Sequence, residues 1–267
     1  MTAVKGEIAG LVKWIREFVH GAGKDGVTLG LSGGVDSAVV AALAVRALGH
    51  DNVNVLAMPI RSDPKDLEDA ERISQHLGLG TVSVYDLNVA FDVLAMTLDL
   101  EPTSKRGDMV GDVVPKARSL ALGNIKARLR MIAVYNEAAL CNHLVIGTGN
   151  KSELMVGYIT KWGDGACDFE PLGEFYKTEV VEMARELGLP DDICGREPSP
   201  GLEPGVTDRT ELGGGYDEID PILMAISDGR NYYYGEDGFD QNFGRVMNLC
   251  HSADHKKKMP PAYRRVR

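Results

Sequence analysis

The string Gly30-Leu31-Ser32-Gly33-Gly34-Val35-Asp36-Ser37 carries the residue types an anion site needs. Gly33 and Gly34 permit a tight turn and leave successive backbone N–H groups unobstructed. With the dipole of a helix opening at Asp36 or Ser37, those groups form a nest for phosphate. The Ser32 and Ser37 hydroxyls add donors. Asp36 is out of place beside a phosphate unless a cation stands between them, which makes it a candidate Mg²⁺ ligand. The plain alternative is an N-cap after a glycine turn. Farther along, Thr148-Gly149 ends a second apolar strand and Glu153 lies on the helix that follows. Two carboxylates meeting across a cleft suit a hard cation whose other ligands are water and phosphate oxygens. The plain alternative for Glu153 is a first-turn residue favoured by the helix dipole. Lys177 stands at a helix start, where the dipole disfavours a cation, so an anionic partner would explain it. No GxxxxGK[ST] and no GxGxxG string occurs, which excludes a Walker loop and the dinucleotide fingerprint.

The elements that must position these residues alternate along the chain. An amphipathic helix is marked by Ile8, Leu11, Val12, Ile15 and Val19 at helical spacing. A strand at Val27 to Leu31 leads into an Ala/Val-rich helix ending near Leu48, with Gly49 as its stop. Strands at Val53 to Met58 and Thr81 to Tyr85 flank a helix from about Lys65 to Leu77. A helix near Val89 to Leu98, a long helix from about Lys116 to Cys141 and a strand at Leu144 to Gly147 follow. Further helices are expected near Lys177 to Leu187, Glu218 to Ser227 and Phe239 to His251. This alternation predicts an α/β fold: an open, Rossmann-like parallel sheet with helices on both faces. The polar stretch 101–114 and the Gly/Pro-rich stretch 198–215 read as mobile loops, the second as a lid. No clean linker divides the chain, so residues 1–267 are expected to form one domain.

Composition bounds the function. The chain has 267 residues, 44% hydrophobic and 25% charged, so it can bury a substantial core. No apolar run approaches a membrane span and no secretory signal is visible, which points to the cytoplasm. A net charge of −10 argues against a nucleic-acid partner. From Asp254 onward, however, six Lys or Arg residues face one Asp. That run reads either as a solvated tail or as a positive patch for an anionic substrate. Cys141, Cys167, Cys194 and Cys250 form no CxxC pair, no metal motif and no disulfide framework.

The SGGVDS string resembles the pyrophosphatase loop of enzymes that cleave ATP between its α- and β-phosphates and adenylate a substrate. A second string, Leu144-Val-Ile-Gly-Thr-Gly-Asn-Lys-Ser-Glu-Leu-Met-Val-Gly-Tyr-Ile-Thr-Lys-Trp-Gly-Asp-Gly-Ala-Cys-Asp168, is very similar to the signature of the NAD synthetase family. The likeness continues through Pro171, Tyr176-Lys177-Thr178, Pro198-Ser199, Tyr216-Asp217-Glu218-Ile219-Asp220 and His255-Lys256, in the family's order and over nearly the whole chain.

That resemblance implies a fold of the adenine nucleotide alpha-hydrolase type. It also implies ATP contacts from Gly30, Leu31, Ser32, Gly33, Gly34, Val35, Asp36, Ser37, Arg61, Thr148, Lys177 and Ser199. Ser199 stands where relatives usually carry Thr, which keeps the hydroxyl. Asp36 and Glu153 would ligate Mg²⁺, and with Lys177 they form the implied catalytic set. Arg128, Lys161, Asp168, His255 and Lys256 would surround deamido-NAD. From periodicity alone Arg128 is a solvent-facing helix charge, and Lys161 and Asp168 bracket a surface turn. The implied ligase converts deamido-NAD, ATP and ammonia to NAD, AMP and pyrophosphate through an acyl-adenylate, the final step of NAD biosynthesis. Asp164 or Asp208 is a candidate for the proton of ammonium. Glutamine-dependent relatives carry an amidohydrolase domain for which this sequence has no room, so free ammonia, or ammonia from a separate protein, is the expected donor. Family members are homodimers, and the long helix from Lys116 is the candidate contact. The rivals are a tRNA thiolase or GMP synthetase type of ligase, which share the loop, and a non-catalytic nucleotide-binding protein. A thiolase should show paired cysteines, and a binding protein has no need of Asp36, Glu153 and Lys177 together.

Overall fold

The computed structural model describes residues 3–98, 100, 113–199, 201, 206–229, 241–260 and 262–263. The first helix, α1 (Ala3–Gly21), turns Ile8, Ile15 and Val19 inward. Strand β1 (Gly26–Gly30) feeds the loop 31–34, and α2 (Val35–Leu48) follows. Every residue from Val35 to Leu43 except Asp36 is buried, because α2 is enclosed by the sheet on one side and by helices on the other. Its run of Ala and Val has the small, apolar surface this position needs. Strand β2 (Val53–Ala57) precedes α3 (Pro64–His76), whose start combines an Asp63 cap on the Lys65 N–H (2.9 Å) with Pro64 in the first turn.

The edge strand β3 covers only Ser83–Val84, shorter than the expected Thr81 to Tyr85. It has one neighbour, β2, paired at Leu56↔Ser83 and Ala57↔Val84, and the Tyr85 N–H continues the ladder to the Ala57 carbonyl (2.9 Å). Helices α4 (Asn88–Thr97) and α5 (Val113–Leu140) pack together before β4 (His143–Val145). The expected loop 101–114 lies outside the described residues, apart from Val113 and Val114, which open α5.

All four strands are parallel, in the order β3-β2-β1-β4. Val27 of β1 lies between Val53 and Leu144. Alternate residues feed opposite layers. Val27, Leu29, Val53 and Val55 pack with α1 and α2, whereas Leu56 and Val145 pack with Val134 and Ala138 of α5. The sheet is therefore covered on both faces, as the sequence predicts. The direction of chain progress reverses between β1 and β4, and ligands in such sheets bind outside the strand ends at that point.

The C-terminal part adds α6 (Lys151–Val156), α7 (Lys177–Glu186), α8 (Asp191–Cys194), α9 (Asp208–Leu212), α10 (Tyr216–Ser227), α11 (Gln241–Ser252) and α12 (Asp254–Lys257). Val156, Tyr176, Ile219, Leu223 and Val246 form a second apolar cluster among them. Helix α9 falls inside the stretch 198–215 read as a loop. Thr207 caps it by accepting from the Thr210 N–H (3.3 Å), and Gly213 ends it at φ 73°. Its short span between cap and stop leaves no periodicity to read. Pro200 and residues 202–205 of that stretch lie outside the described residues. The start of the basic tail is likewise helical, as α12. No helix among the described residues is long and apolar enough to cross a membrane.

Candidate active site

The loops after β1 and β4 open into one cleft of about 1170 Å³. It is lined by Ser32, Gly34, Asp36 and Ser37 from the first loop and by Gly147, Thr148, Gly149 and Glu153 from the second. Its size exceeds the roughly 300–1,000 Å³ that suffices for one small ligand. In the first loop Gly33 takes φ +79°, and a Cβ there would meet the Asp66 carbonyl at 2.6 Å. The turn therefore requires glycine twice over. Ser37 Oγ accepts from the Ser32 N–H (3.2 Å) and donates to the Gly34 carbonyl (3.0 Å), which holds the loop round the helix start.

Gly34, not Asp36, is the N-cap of α2, and it carries no side-chain cap. The Asp36 side chain is thereby free to face the cleft. Asn150 donates to Asp36 Oδ1 (3.0 Å), and Lys177 donates to Asp36 Oδ2. The same Lys177 ammonium lies 3.8 Å from Glu153 Oε1 and 5.5 Å from the centre of the Tyr216 ring. Asn150 also caps α6, accepting from the Glu153 N–H (3.0 Å) while Glu153 accepts from the Asn150 N–H (3.2 Å). That reciprocal pair turns Glu153 toward Asp36.

Burial lowers the proton affinity of Lys177, but the Asp36 and Glu153 carboxylates more than offset this and hold its ammonium above the ordinary lysine range. Burial, reinforced by Asp36 and opposed by Lys177, pushes Glu153 well above the usual carboxylate range. Both shifts have one cause, since two carboxylates and a single ammonium share a poorly solvated site. Such a pair of hard oxygen donors, gathered on one cation, fits Mg²⁺. Among the described residues no larger group of carboxylates, histidines or cysteines forms a closed metal cage.

The backbone below this site is fixed by a buried relay. Ser152 donates to Asp220 Oδ1 (2.5 Å) and accepts from the Lys177 N–H (2.9 Å), and the Thr178 N–H reaches Asp220 Oδ2 (2.9 Å). Asp220 thereby joins the starts of α6 and α7. Beside it, Tyr216 donates to Asp208 Oδ2 (2.9 Å), while Asp208 Oδ1 is buried without a hydrogen-bond partner among the described residues.

The remaining sequence-predicted residues scatter more widely. Gly30, Leu31 and Val35 also line the cleft, as do Ser199 and Lys256. Ser199 donates to the Val206 carbonyl (2.9 Å). Lys256 donates to the carbonyls of Gly157 (2.8 Å) and Ile159 (2.9 Å), so it ties α12 to the segment after α6. Lys161 reaches the His255 carbonyl (2.5 Å), and Arg128 reaches the Lys161 carbonyl (3.2 Å). Arg128, Lys161 and His255 thus form one exposed chain of contacts beside the cleft. The His255 ring meets the Ser252 carbonyl (3.0 Å). Asp168 accepts from the Val145 N–H (2.7 Å) at the end of β4. Arg61 pairs with Asp92 (2.7 Å) and lies over the Phe91 ring, next in sequence to Ser62 of the cleft lining.

Two arginines that the sequence does not single out stand in the cleft wall. Arg196 bridges Asp66 and Asp69 and donates to the Gly33 carbonyl (3.3 Å), bracing the first loop from below. Arg130 donates to the Met58 carbonyl (3.1 Å) and to Ser62 (3.2 Å). It sits two residues beyond Arg128, about 200° round α5, and so faces inward where Arg128 faces out. Helical periodicity distinguishes the two faces, but it cannot show which face meets the cleft.

A family model described as NAD synthase matches residues 7–260. The NH(3)-dependent NAD(+) synthetase of Archaeoglobus fulgidus is 43% identical over 253 residues, covering 94% of this chain and 93% of the relative. That of Carboxydothermus hydrogenoformans is 41% identical over 251 residues, with 94% and 93% covered. Among solved structures, the NMN synthetase of Francisella tularensis superimposes with a TM-score of 0.82 at 29% identity, covering 98% of this chain and 99% of the other. The NH3-dependent NAD synthetase of Campylobacter jejuni, in complex with nitrate, gives 0.77 at 30% identity, with 99% and 100% covered.

Proposed function

The chain belongs to the NAD synthase family, and from that premise we propose that its cleft converts deamido-NAD, ATP and ammonia to NAD, AMP and pyrophosphate. The observation that carries this reading is the convergence of Asp36, Glu153 and Lys177 where the phosphate loop meets the loop after β4. No rival with the same loop is favoured by the relatives at 41–43% identity.

In this reading the ATP phosphates lie on the N–H groups of residues 32–37, with Lys177 and the Ser32 and Ser37 hydroxyls as further donors. Asp36 and Glu153 would hold Mg²⁺, which when bound would supply positive charge against the phosphates. The nicotinate carboxylate of deamido-NAD attacks the α-phosphorus, forming the acyl-adenylate and releasing pyrophosphate. Ammonia then attacks the acyl carbon, AMP leaves, and the proton shed by ammonium passes to a cleft carboxylate. Asp164 is the one we favour. It lines the cleft and accepts from the Thr160 N–H (3.0 Å), with its side chain still open to solvent. No side-chain nucleophile is required, so positioning and charge stabilisation supply the catalysis.

A second copy of the chain would cover the exposed apolar side chains of α4 and α5. Val89, Val93 and Met96 form one stripe on α4, and Leu120, Ile132 and Leu140 stand exposed at separate points round α5. A stripe such as that of α4 is the type that pairing buries. All four cysteines are free, which accords with work in the reducing cytoplasm.

The test is a single reaction of purified protein with Mg-ATP, deamido-NAD and ammonium, each omitted in turn. Stoichiometric NAD, AMP and pyrophosphate requiring all three is the expected result. ATP cleavage that does not need deamido-NAD points to another acceptor. Replacing deamido-NAD with the corresponding mononucleotide separates the two activities named among the solved relatives. An absence of ATP cleavage overturns the reading.

A further inference from the structure

Lys177 is the first residue of α7, where the helix dipole opposes a positive charge. Yet its side chain is only 5% exposed, and its ammonium fills the space between Asp36 Oδ2 and Glu153 Oε1. An ion that took both carboxylates as ligands would bring its charge into the space this ammonium fills. The ammonium between the two carboxylates and an entering cation would repel at close range in a poorly solvated site, which favours moving Lys177 aside. The surroundings provide for this. Asp208 keeps Oδ1 buried and unpartnered among the described residues, and its Oδ2 is held by Tyr216, the residue whose ring Lys177 overlies. Phosphate oxygens arriving on residues 32–37 offer the displaced ammonium a further acceptor.

We infer that Lys177 is a resident counter-ion that holds the place of the divalent cation in the free protein, so metal enters with nucleotide and not before it. This rests on the reading of Asp36 and Glu153 as metal ligands. Free metal must eject a buried, doubly paired ammonium with nothing new to receive its charge except Asp208. Metal that comes with a polyphosphate brings the receiver along.

The experiment uses Mn²⁺ alone as the probe, followed by electron paramagnetic resonance, with nucleotide-free protein. The wild type is expected to bind Mn²⁺ no tighter than the millimolar range. Lys177→Met, which leaves the two carboxylates without a cation, is expected to bind at least about tenfold tighter, a change of about 1.4 kcal/mol. If Lys177→Met is unfolded in metal-free buffer, recovery of its circular dichroism by millimolar Mn²⁺ supports the inference equally. Micromolar Mn²⁺ binding by the wild type, a folded variant that binds no tighter, or an unfolded variant that Mn²⁺ does not recover would each overturn it. None of these outcomes touches NAD formation by the wild type, so the proposed reaction stands or falls separately.

Discussion

Asn150 donates its side-chain N–H to Asp36 Oδ1 at 3.0 Å while its own carbonyl oxygen caps the helix that carries Glu153. One fully buried amide thus orients both carboxylates of the site, although Asn150 and Asp36 stand 114 residues apart. Asn150→Ala should lower stability by about 1 kcal/mol through the lost cap. It should also lower kcat by about 10- to 100-fold, because Asp36 loses the donor that aims it. Asn150→Ser separates the two effects. Its hydroxyl still offers α6 a cap but is too short to hold Asp36 as the amide does, so denaturation should change less than activity. Equal losses of stability and activity in both variants would count against a positioning role.

Asp36→Asn should remove about 2.7–4 kcal/mol of transition-state stabilisation, or a fall of about 100- to 1,000-fold in pyrophosphate release. The amide keeps the shape and removes the charge that pairs with Lys177 and, in the proposed reaction, with the metal. Pyrophosphate release at saturating Mg²⁺ is the readout, and near-normal turnover would remove Asp36 from the site.

Local strings made part of this geometry legible. Gly33, Gly34 and Asp36 lie within one strand–turn–helix, and Asn150 and Glu153 share one helix start, so each group is set by residues a few positions apart. The parallel sheet was legible because β1, α2, β2 and α3 alternate with clear apolar patterns. Arg196 was not. Its worth comes from Asp66 and Asp69, about 130 positions earlier, which brace it beneath Gly33. Arg61 likewise pairs with Asp92, 31 positions farther on. A sequence displays a charge but not the tertiary partner that commits it.

Gly33→Ala should abolish ATP binding, not merely weaken it. The left-handed φ and the Asp66 carbonyl 2.6 Å from the new Cβ both oppose the methyl, so the loop must reshape and its N–H groups turn away. Gly34→Ala is the control, since its Cβ would meet only Ser32 Oγ at 3.3 Å. Calorimetric titration with ATP should rank the wild type and Gly34→Ala well above Gly33→Ala, and similar affinities for the two alanine variants would contradict the strain argument.

Placing charge on the apolar face should divide the proposed dimer. Ile132→Glu and Val93→Glu each put a carboxylate where pairing would desolvate it, and neither residue belongs to a buried cluster of the subunit. Sedimentation at micromolar concentration should show a dimer for the wild type and monomers for the variants, with little change in melting of the subunit itself. A wild type that sediments as a monomer would refute the pairing.

His143 should make stability depend on pH. Its ring is 9% exposed and lies 3.2 Å from the Thr28 hydroxyl at the centre of the sheet. Burial pushes its proton affinity below the ordinary value of 6.5, against the opposing pull of the Val27 backbone, Asp25 and Glu137. The unfolded chain therefore takes up this proton first as pH falls. Above 6.5 both states hold a neutral ring and the full stability is present. Below it the unfolded state gains a proton the folded state lacks, so stability declines, by at most about 1.4 kcal/mol per pH unit for one proton. The decline stops once pH falls below the lowered folded value. Glu170, pushed up to about 7 chiefly by burial, titrates in the same window with the opposite sign, so the wild type alone cannot isolate the histidine. His143→Gln can, since it keeps a polar partner for Thr28 and cannot titrate. Denaturant unfolding at about pH 7.5 and about pH 5.5 should show the wild type falling relative to His143→Gln as the solution is acidified. Parallel pH profiles for the two proteins would mean that the ring takes up its proton alike in the folded and unfolded states, which would refute the effect of burial.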